Sequence, residues 1–255
     1  MTWSVGAGLE GRGVIVTGAA GGIGRAVCEA FGKTGARVMA VDLDQAKVDA
    51  VVAGLKGAGH VAVAADLRDL STHAPLVKRA VEELGNLYVL ASLAAVLRRR
   101  YTIEEITEDD WDFQHDVNLK AVFFLCRAAA RAMIEAGLGG RIITFSSQAW
   151  WTGGIGGSVV YAASKGGVVS MTRGLARTLG PHRITVNSVS PGQTHTPMLM
   201  SGLDPKVYET MKAQTPLGYV SEPDEIAGPV VFLASKHASY ITGATINVSG
   251  GYLMY

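Results

Sequence analysis

A tyrosine and a lysine begin a segment of helical pattern in the second half of the chain. Tyr161 and Lys165 share one helix face, because residues four apart are neighbours on a helix surface. A phenol has an ordinary pKa of about 10, and a nearby ammonium favours its ionised form. Such a pair can accept a proton from an alcohol or return one to a ketone. Alone, however, this spacing more often marks an exposed helix face.

Two serines at the end of an apolar run give the pair a context. The predicted strand at residues 141–146 runs into Ser146 and Ser147. Ligands of parallel sheets bind outside the carboxyl ends of the strands. A serine hydroxyl there can donate a hydrogen bond to a developing alkoxide. The sequence therefore predicts proton-transfer chemistry on a carbinol or carbonyl group.

A glycine-rich turn near the N-terminus predicts a phosphate site. The strand Gly13–Thr17 continues into Gly18-Ala19-Ala20-Gly21-Gly22-Ile23-Gly24, and helical periodicity follows at residues 23–33. Such a turn lets backbone N–H groups approach a pyrophosphate, and the helix N-terminus adds partial positive charge. Glycine clusters also form plain tight turns, but a preceding strand and a following helix favour dinucleotide binding.

Acidic residues end the second and third predicted strands. At the Asp42 position a carboxylate can bond both ribose hydroxyls of an adenosine and would repel a 2′-phosphate. No arginine follows within several residues, so the pattern favours NAD over NADP. Asp42 could equally cap the next helix, and the two roles can coexist. Asp66 could touch the adenine edge or act as another cap.

The elements that must position these residues alternate regularly between strand and helix. Predicted strands occupy residues 13–17, 37–42, 60–66, 87–94, 141–146, 184–190 and 244–248. Predicted helices occupy residues 23–33, 45–55, 72–84, 111–136, 159–179, 206–213 and 223–235. Continuous apolar strands indicate a parallel sheet covered on both faces. We therefore predict an α/β fold with a three-layer, doubly wound, Rossmann-like sheet of about seven strands. No linker or repeat divides residues 1–255, so we expect one domain.

Composition excludes several classes of protein. The 255 residues are 48% hydrophobic and 18% charged, which favours a large core over disorder. A net charge of +1 provides no field for nucleic acid or a membrane surface. Two cysteines, no signal-peptide pattern and no long apolar run predict a cytoplasmic protein. His195 has no partner at ligand spacing, so we predict no metal site.

Taken together, these motifs resemble the compact branch of the short-chain dehydrogenase/reductase family, from about Gly11 to Gly251. The matching segments are Thr17-Gly18-x-x-x-Gly22-x-Gly24, Asn118, Ser147, Tyr161-x-x-x-Lys165, Pro191-Gly192-Gln193-Thr194-His195-Thr196, Tyr240-Ile241-Thr242-Gly243 and Gly250-Gly251. Three positions depart from the family pattern: Ser92 stands where asparagine is usual, Ser249 where aspartate is common, and Gly21 gives a spacing shared with longer, two-domain relatives.

The resemblance implies specific roles. Tyr161 would transfer the proton, Lys165 would lower its pKa and bond the nicotinamide ribose, Ser147 would orient the substrate oxygen, and Asn118 would hold a water that relays protons. Cofactor contacts would come from Gly18, Gly22, Ile23, Gly24, Asp42, Asp66, Leu67, Ser92, Ala94, Pro191, Gly192, Thr194 and Thr196, together with Tyr161 and Lys165. The family's usual assembly implies a homotetramer.

Substrate contacts are predicted from two loops and a mobile segment. Trp150 and Trp151 follow the catalytic serine and would either wall an apolar pocket or pack against a loop or partner subunit. Arg98, with the two arginines after it, would either clamp an anionic substrate or form a solvated face. The segment from His195 to residue 203 resembles the family's mobile substrate loop, so His195 is expected to contact the substrate.

These features predict an NAD-dependent oxidoreductase acting on a secondary alcohol or ketone. Two alternatives remain open. One is an NADP-linked 3-oxoacyl thioester (acyl-carrier) reductase, for which the arginine run would suit an acidic carrier and against which Asp42 counts. The other is a catalytically silent dinucleotide-binding protein, which the intact set of Asn118, Ser147, Tyr161 and Lys165 argues against.

Overall fold

The computed structural model describes residues 6–200 and 205–255. Within them, seven strands form one parallel sheet in the order β3-β2-β1-β4-β5-β6-β7. The strands are β1 (Gly13–Thr17), β2 (Arg37–Asp42), β3 (Val61–Ala64), β4 (Val89–Ser92), β5 (Gly140–Phe145), β6 (Ile184–Pro191) and β7 (Thr245–Val248). The predicted α/β class, doubly wound topology and strand number are confirmed.

Helices connect the strands and cover both faces of the sheet. They are α1 (Gly22–Lys33), α2 (Gln45–Ala53), α3 (His73–Leu84), α4 (Glu108–His115), α5 (Val122–Ala136), α6 (Ala149–Thr152), α7 (Val159–Leu179), α8 (Pro197–Met200), α9 (Pro205–Gln214) and α10 (Pro223–Ala234). None of these helices in the described ranges is long and apolar enough to cross a membrane.

Alternation along the strands builds two hydrophobic cores. Val14 and Val16 of β1 pack with residues of α1 and α10 on one face. Ile15, between them, packs on the other face with residues of α3 and α5. Successive side chains of a strand point to opposite faces, so a continuous apolar run serves both layers. This is the three-layer arrangement expected from the sequence.

The prediction of one long helix at residues 111–136 is wrong in one respect, because this part of the chain consists of three segments. A capping box starts α4 earlier, at Glu108, where Thr107 and Asp110 each bond the other's backbone N–H. A π-helical turn at Asp116–Ala121 then precedes α5. Periodicity alone cannot distinguish a π turn from the α-helix around it, since the apolar spacing changes by a single residue. The short helices α6 and α8 were also not predicted.

The strand order creates the position of the site. The chain places β2 and β3 on one side of β1 and β4 to β7 on the other, so the helices after β1 and β4 diverge. The carboxyl ends of these central strands therefore face an open crevice, which is where doubly wound sheets bind ligands. The glycine turn and Ser147 follow carboxyl ends of strands at this edge, and Pro191 is the last residue of β6.

Candidate active site

The glycine turn after β1 is packed too closely for side chains. Gly18 adopts a φ of 67°, and a Cβ there would lie 2.9 Å from the Ala94 nitrogen. A Cβ on Gly24 would lie 2.0 Å from the Gly18 oxygen. The turn thus brings its backbone against the start of α1 and leaves that backbone open to the cleft. This geometry fits a pyrophosphate held by N–H groups at a helix N-terminus.

A cleft of 1350 Å³ runs along the carboxyl edge of the sheet and joins both ends of the predicted site. It extends from the ends of β2 and β3, past the glycine turn, to the start of α7. Most of the predicted site residues line it: Gly18, Gly22, Ile23, Gly24, Asp42, Asp66, Leu67, Ala94, Ser147, Tyr161, Lys165, Pro191, Gly192, Thr194 and Thr196. The volume and the lining of the cleft thus leave room for a dinucleotide and a small substrate.

Lys165 lies at the base of the cleft in a strongly desolvated position. Its side chain is 2% exposed, and its Nζ donates to the Phe145 carbonyl oxygen at 2.8 Å. The same Nζ is 5.6 Å from the centre of the Tyr161 ring. Burial penalises the charged ammonium and lowers the pKa of Lys165 to about 8.

Burial also dominates the titration of Tyr161. Desolvation raises the pKa of this phenol, because the phenolate is the charged form. A hydrogen bond with the Ser147 side chain and the positive charge of Arg99 act in the opposite direction and lower it. Three elements therefore converge on the phenol: α7, the end of β5, and the loop after β4.

Asn118 lies behind the cleft lining in the π-helical turn. Its Oδ1 accepts from Val96 N at 2.8 Å, and its Nδ2 donates to Val96 O at 2.9 Å and to Ser164 Oγ at 3.1 Å. The fully buried amide therefore joins the loop after β4 to α7. π turns disturb the backbone pairing of the surrounding helix and occur frequently at functional sites.

The Asp42 carboxylate supports the glycine turn as well as facing the cleft. Its Oδ2 accepts from Ala20 N at 3.0 Å, and its Oδ1 accepts from Leu43 N at 2.8 Å. The alternative of a helix cap is wrong for Asp42, because Asp44 caps α2 by accepting from Lys47 N. Since neither bond to Asp42 comes from a cation, the carboxylate presents a negative charge to this end of the cleft.

Asp66 has a cationic partner instead. Its carboxylate forms an ion pair with Arg68 at 2.6 Å, and the hydrogen bond from that side chain is the main cause that lowers the pKa of Asp66. Both residues line the cleft next to Leu67. The alternative role of Asp66 as a helix cap is wrong, because Asp69 caps the short 3-10 turn that follows.

Trp150 and Trp151 do not wall the cleft in the described part of the chain. Both pack on Tyr255, with ring centres 5.1 Å and 5.5 Å away. Packing against a loop, the other option considered from the sequence, is the one observed. The first turn of α6 directs these indoles outward towards the C-terminal segment, while Gln148, Ala149 and Thr152 face the cleft.

The three arginines at positions 98–100 make different contacts. Arg98 pairs with Asp109 at 2.5 Å and with Asp110 at 3.5 Å, and its guanidinium lies 4.0 Å from the centre of the Phe113 ring. Arg100 forms two bonds to Asp110, at 2.7 Å and 2.9 Å. Only the middle residue of the three, Arg99, is among the described residues that line the cleft. The prediction of Arg98 as the substrate contact is therefore wrong.

Ser92 and His195 also lie away from the described cleft lining. Ser92 is buried in β4 opposite Thr17, whose Oγ1 instead accepts from Leu93 N and Ala94 N. His195 turns outward to Glu222, with its Nδ1 3.3 Å from the carboxylate. Residues 201–203 of the expected substrate loop lie outside the described residues. Among those described, no group of three His, Cys, Asp or Glu side chains could hold a metal ion.

Several lining residues were not predicted from the sequence. They come from the loop after β4, from α4, from the turn after Ser147, from the glycine loop before α7, from α9 and from the C-terminal segment: Tyr101, Phe113, Gln148, Ile155, Met211 and Tyr252. They carry no motif, since mixed apolar and polar residues in loops look alike whether they face a cleft or solvent. Arg99, by contrast, belongs to the arginine run for which a substrate contact was predicted.

Comparisons with known proteins show which family the chain resembles over nearly its whole length. The family model described as enoyl-(acyl carrier protein) reductase matches residues 18–253. The (3R)-3-hydroxyacyl-CoA dehydrogenase of Canis lupus familiaris is 39% identical over 254 residues, covering 94% of this chain and 95% of that protein. The D-threitol dehydrogenase of Mycolicibacterium smegmatis is 37% identical, covering 96% of this chain and 94% of that protein.

Solved structures extend the agreement to three dimensions. The crystal structure of a short-chain dehydrogenase/reductase, glucose/ribitol dehydrogenase, from Brucella melitensis matches with a TM-score of 0.91 and 36% identity, covering 98% of this chain and all of that one. The chain belongs to the short-chain dehydrogenase/reductase family. It is an oxidoreductase of that family, and membership implies a nicotinamide dinucleotide cofactor.

Replacing Gly24 with alanine tests the glycine turn. The new Cβ would meet the Gly18 oxygen at 2.0 Å, so the turn must shift, at a stability cost of about 1–3 kcal/mol. We expect Gly24→Ala to lower the melting temperature and to abolish binding of the nicotinamide dinucleotide, measured by calorimetry with NAD and with NADP. Gly228→Ala is the control, because no atom outside its own helix lies within 4 Å of the new Cβ. Unchanged dinucleotide affinity in a folded Gly24→Ala protein would contradict this account of the turn.

The buried ammonium predicts a pH dependence of stability. The pKa of Lys165 falls from 10.5 to about 8 on folding, so the unfolded chain binds more protons between these values. Wild-type stability should therefore rise, relative to Lys165→Met, as the pH increases from 8 to 10. Thermal unfolding of both proteins across that range measures the difference. Lys78→Met, at a site 76% exposed, is the control and should show no such trend. A difference independent of pH would refute the desolvation of Lys165.

Proposed function

We propose that this protein is an NAD-dependent dehydrogenase or reductase that interconverts a secondary alcohol and a ketone, with Tyr161 as general acid and base. One observation carries the proposal. The phenol of Tyr161 and the buried ammonium of Lys165 lie on one face of α7, in the same cleft as the glycine turn and beside Ser147. The residues proposed for proton transfer therefore line the same cleft as the proposed dinucleotide site.

The residues fit the cofactor that the family implies. The crowded turn at Gly18 and Gly24 would hold the pyrophosphate, the Asp42 carboxylate would hold the adenosine ribose, and Thr194 and Thr196 would hold the carboxamide. When bound, the nicotinamide supplies the acceptor or donor of hydride. The orientation of the ring then depends on the loop after β6, whose Thr194 hydroxyl is held by the Ser221 hydroxyl at 3.0 Å.

Tyr161 and its neighbours supply the proton step. In alcohol oxidation the phenolate of Tyr161 takes the hydroxyl proton, and in reduction the phenol returns it. Ser147 donates to the same substrate oxygen and stabilises the charge that develops there. The positive charge of Lys165 stabilises the phenolate, and it must do so against the desolvation that raises the pKa of Tyr161.

Asn118 acts in this proposal as a positioning residue. Its amide holds the Val96 backbone on one side and the Ser164 hydroxyl on the other, and the same hydroxyl donates to Tyr161 O at 2.7 Å. This chain of bonds fixes the first turn of α7 against the loop after β4. The π turn that contains Asn118 is our candidate for the site of the proton-relaying water.

The preference for NAD rests on charge. Asp42 has no cationic partner in the described residues, and two of the cations that line this end of the cleft are engaged elsewhere: Arg68 pairs with Asp66, and Lys47 with Asp44 at 3.5 Å. A 2′-phosphate would meet an uncompensated carboxylate. An NADP-linked acyl-carrier reductase is disfavoured for this reason, but a hydroxyacyl thioester remains a candidate substrate. The dog relative named (3R)-3-hydroxyacyl-CoA dehydrogenase supports that candidate.

We further propose a cytoplasmic homotetramer built from a single domain in each subunit. One sheet carries both the dinucleotide end and the chemical end of the cleft, which supports a single unit. Exposed apolar side chains at Phe123, Trp151 and Met254 are compatible with subunit contacts. The reading as a silent dinucleotide-binding protein is disfavoured, because such a protein has no need of a buried lysine beside a tyrosine.

Substituting the phenol tests the chemistry directly. Tyr161→Phe removes the proton donor and keeps the ring, so kcat should fall by about 10²–10⁴-fold while NAD affinity persists. The activity assay follows NADH absorbance with a panel of secondary alcohols. Tyr240→Phe is the control, because that side chain is fully exposed. Full activity in Tyr161→Phe would remove Tyr161 from the mechanism.

Neutralising Asp42 tests the cofactor choice. Asp42→Asn keeps an oxygen for Ala20 N and removes the negative charge, so the ratio of kcat/KM with NADP to that with NAD should rise about tenfold or more. Asp44→Asn is the matched control, since that carboxylate caps α2. An unchanged ratio in Asp42→Asn would show that NAD selection arises elsewhere.

A further inference from the structure

The substrate end of the cleft combines apolar and uncharged polar side chains with one exposed cation. The described lining there includes the apolar side chains Phe113, Val117, Ile155, Leu199, Val207 and Met211. The other charged lining residues, Asp42, Asp66, Arg25, Lys47 and Arg68, follow β1, β2 and β3 at the dinucleotide end. Besides Lys165, the charged side chain of the described lining on the Tyr161 side is Arg99.

Arg99 is held in place by its two neighbours. Arg98 and Arg100 both bind Asp110, whose side chain is 1% exposed and forms part of the cap of α4. The backbone of residues 98–100 is thereby fixed on one side. On the other side, Arg100 N donates to Gly157 O at 2.9 Å. The middle residue of the run therefore has a defined direction, which is towards the cleft.

The guanidinium of Arg99 keeps most of its hydrogen-bonding capacity. Its Nη1 donates to Gly156 O at 2.9 Å, and no carboxylate among the described residues pairs with it. A guanidinium has five N–H donors, so the remainder face the cleft and solvent. Its charge is also near enough to act on the Tyr161 phenol. An anionic group bound by Arg99 would therefore lie close to the reacting carbon.

We propose that Arg99 is a specificity-determining residue that binds an oxyanion on the substrate, so that the preferred substrate is a secondary alcohol or ketone with an apolar body and a nearby anionic group. This inference rests on the proposed function for the reacting carbon, but the anion site itself does not need the chemistry. A carboxylate close to the carbinol fits best, because Arg99 acts on the same phenol as the reaction. A phosphate of a thioester carrier has the same chemistry at a greater distance.

The first experiment compares matched substrates in the NAD-coupled assay. The pairs are 3-hydroxyhexanoate with its methyl ester, and 3-hydroxyhexanoyl-CoA with the N-acetylcysteamine thioester, which lacks the phosphates. The wild type should prefer the anionic member of one pair roughly tenfold or more. Arg99→Gln should lower kcat/KM for that member by about 10- to 100-fold and change the neutral member less than about threefold. The pair that responds identifies carboxylate or phosphate as the source.

Two further variants separate charge from structure. Arg99→Lys keeps the positive charge and should retain part of the preference for the anionic substrate. Arg131→Gln removes an arginine that is exposed on α5 and paired with Glu135, and it should leave every ratio unchanged. If Arg99→Gln lowers activity equally on anionic and neutral members, Arg99 only holds the glycine loop, and the proposal is wrong.

A binding measurement keeps this inference separate from the proposed function. Saturation-transfer NMR on the full chain with NAD should detect hexanoate more strongly than hexanamide, and Arg99→Gln should remove the difference. If hexanoate binding depends on Arg99 but no substrate is turned over, the proposed function is contradicted and the anion site is still supported. Equal hexanoate and hexanamide signals in the wild type, together with equal kcat/KM for the CoA thioester and its N-acetylcysteamine counterpart, would overturn the anion site.

Discussion

The candidate site depends on a lysine ammonium held away from water with a carbonyl oxygen as its hydrogen-bond acceptor. Lys165 donates to Phe145 O, and in the described residues no carboxylate is paired with it. Such an arrangement costs stability, since burial disfavours the charged form. The fold tolerates it because Phe145 ends β5 in the middle of the sheet and α7 lies against β5 and β6, so neither partner can move away. The same desolvation strengthens every electrostatic interaction at the phenol of Tyr161.

Regular elements were predictable, because their signal is carried by many residues at once. The seven strands appear in the sequence as short apolar runs, and their bounds in the structure differ from the expected ones by at most two residues at each end. The glycine turn was predictable for a different reason. Backbone contacts at Gly18 and Gly24 leave no room for a side chain, so these positions require glycine. A requirement of this kind is visible directly in the amino-acid sequence.

Substrate contacts were not predictable in the same way, because they depend on where a loop side chain points. Trp150 and Trp151 follow Ser147 in the chain, but a single turn of helix sends both indoles to Tyr255. Arg98 and Arg99 are adjacent and chemically identical, yet Asp110 binds the first and leaves the second to the cleft. Asp110 lies on α4, and the sequence of the arginine run does not indicate that it forms this contact. Family resemblance does not help, since it assigns loops and not rotamers.

Asp110 therefore connects the fold to the selectivity of the cleft. Its carboxylate bonds the backbone at the start of α4 and accepts two bonds from Arg100, and the Arg100 side chain is the first cause of a pKa lowered to about 2. A carboxyl that remains ionised throughout the neutral range does not release its arginines by protonation, so these contacts to the loop after β4 persist across that range. A cation on a loop ordinarily samples many directions, and ordering it for each binding event would cost affinity. With its two neighbours already fixed by a buried carboxylate, Arg99 meets the ligand with much of that ordering complete.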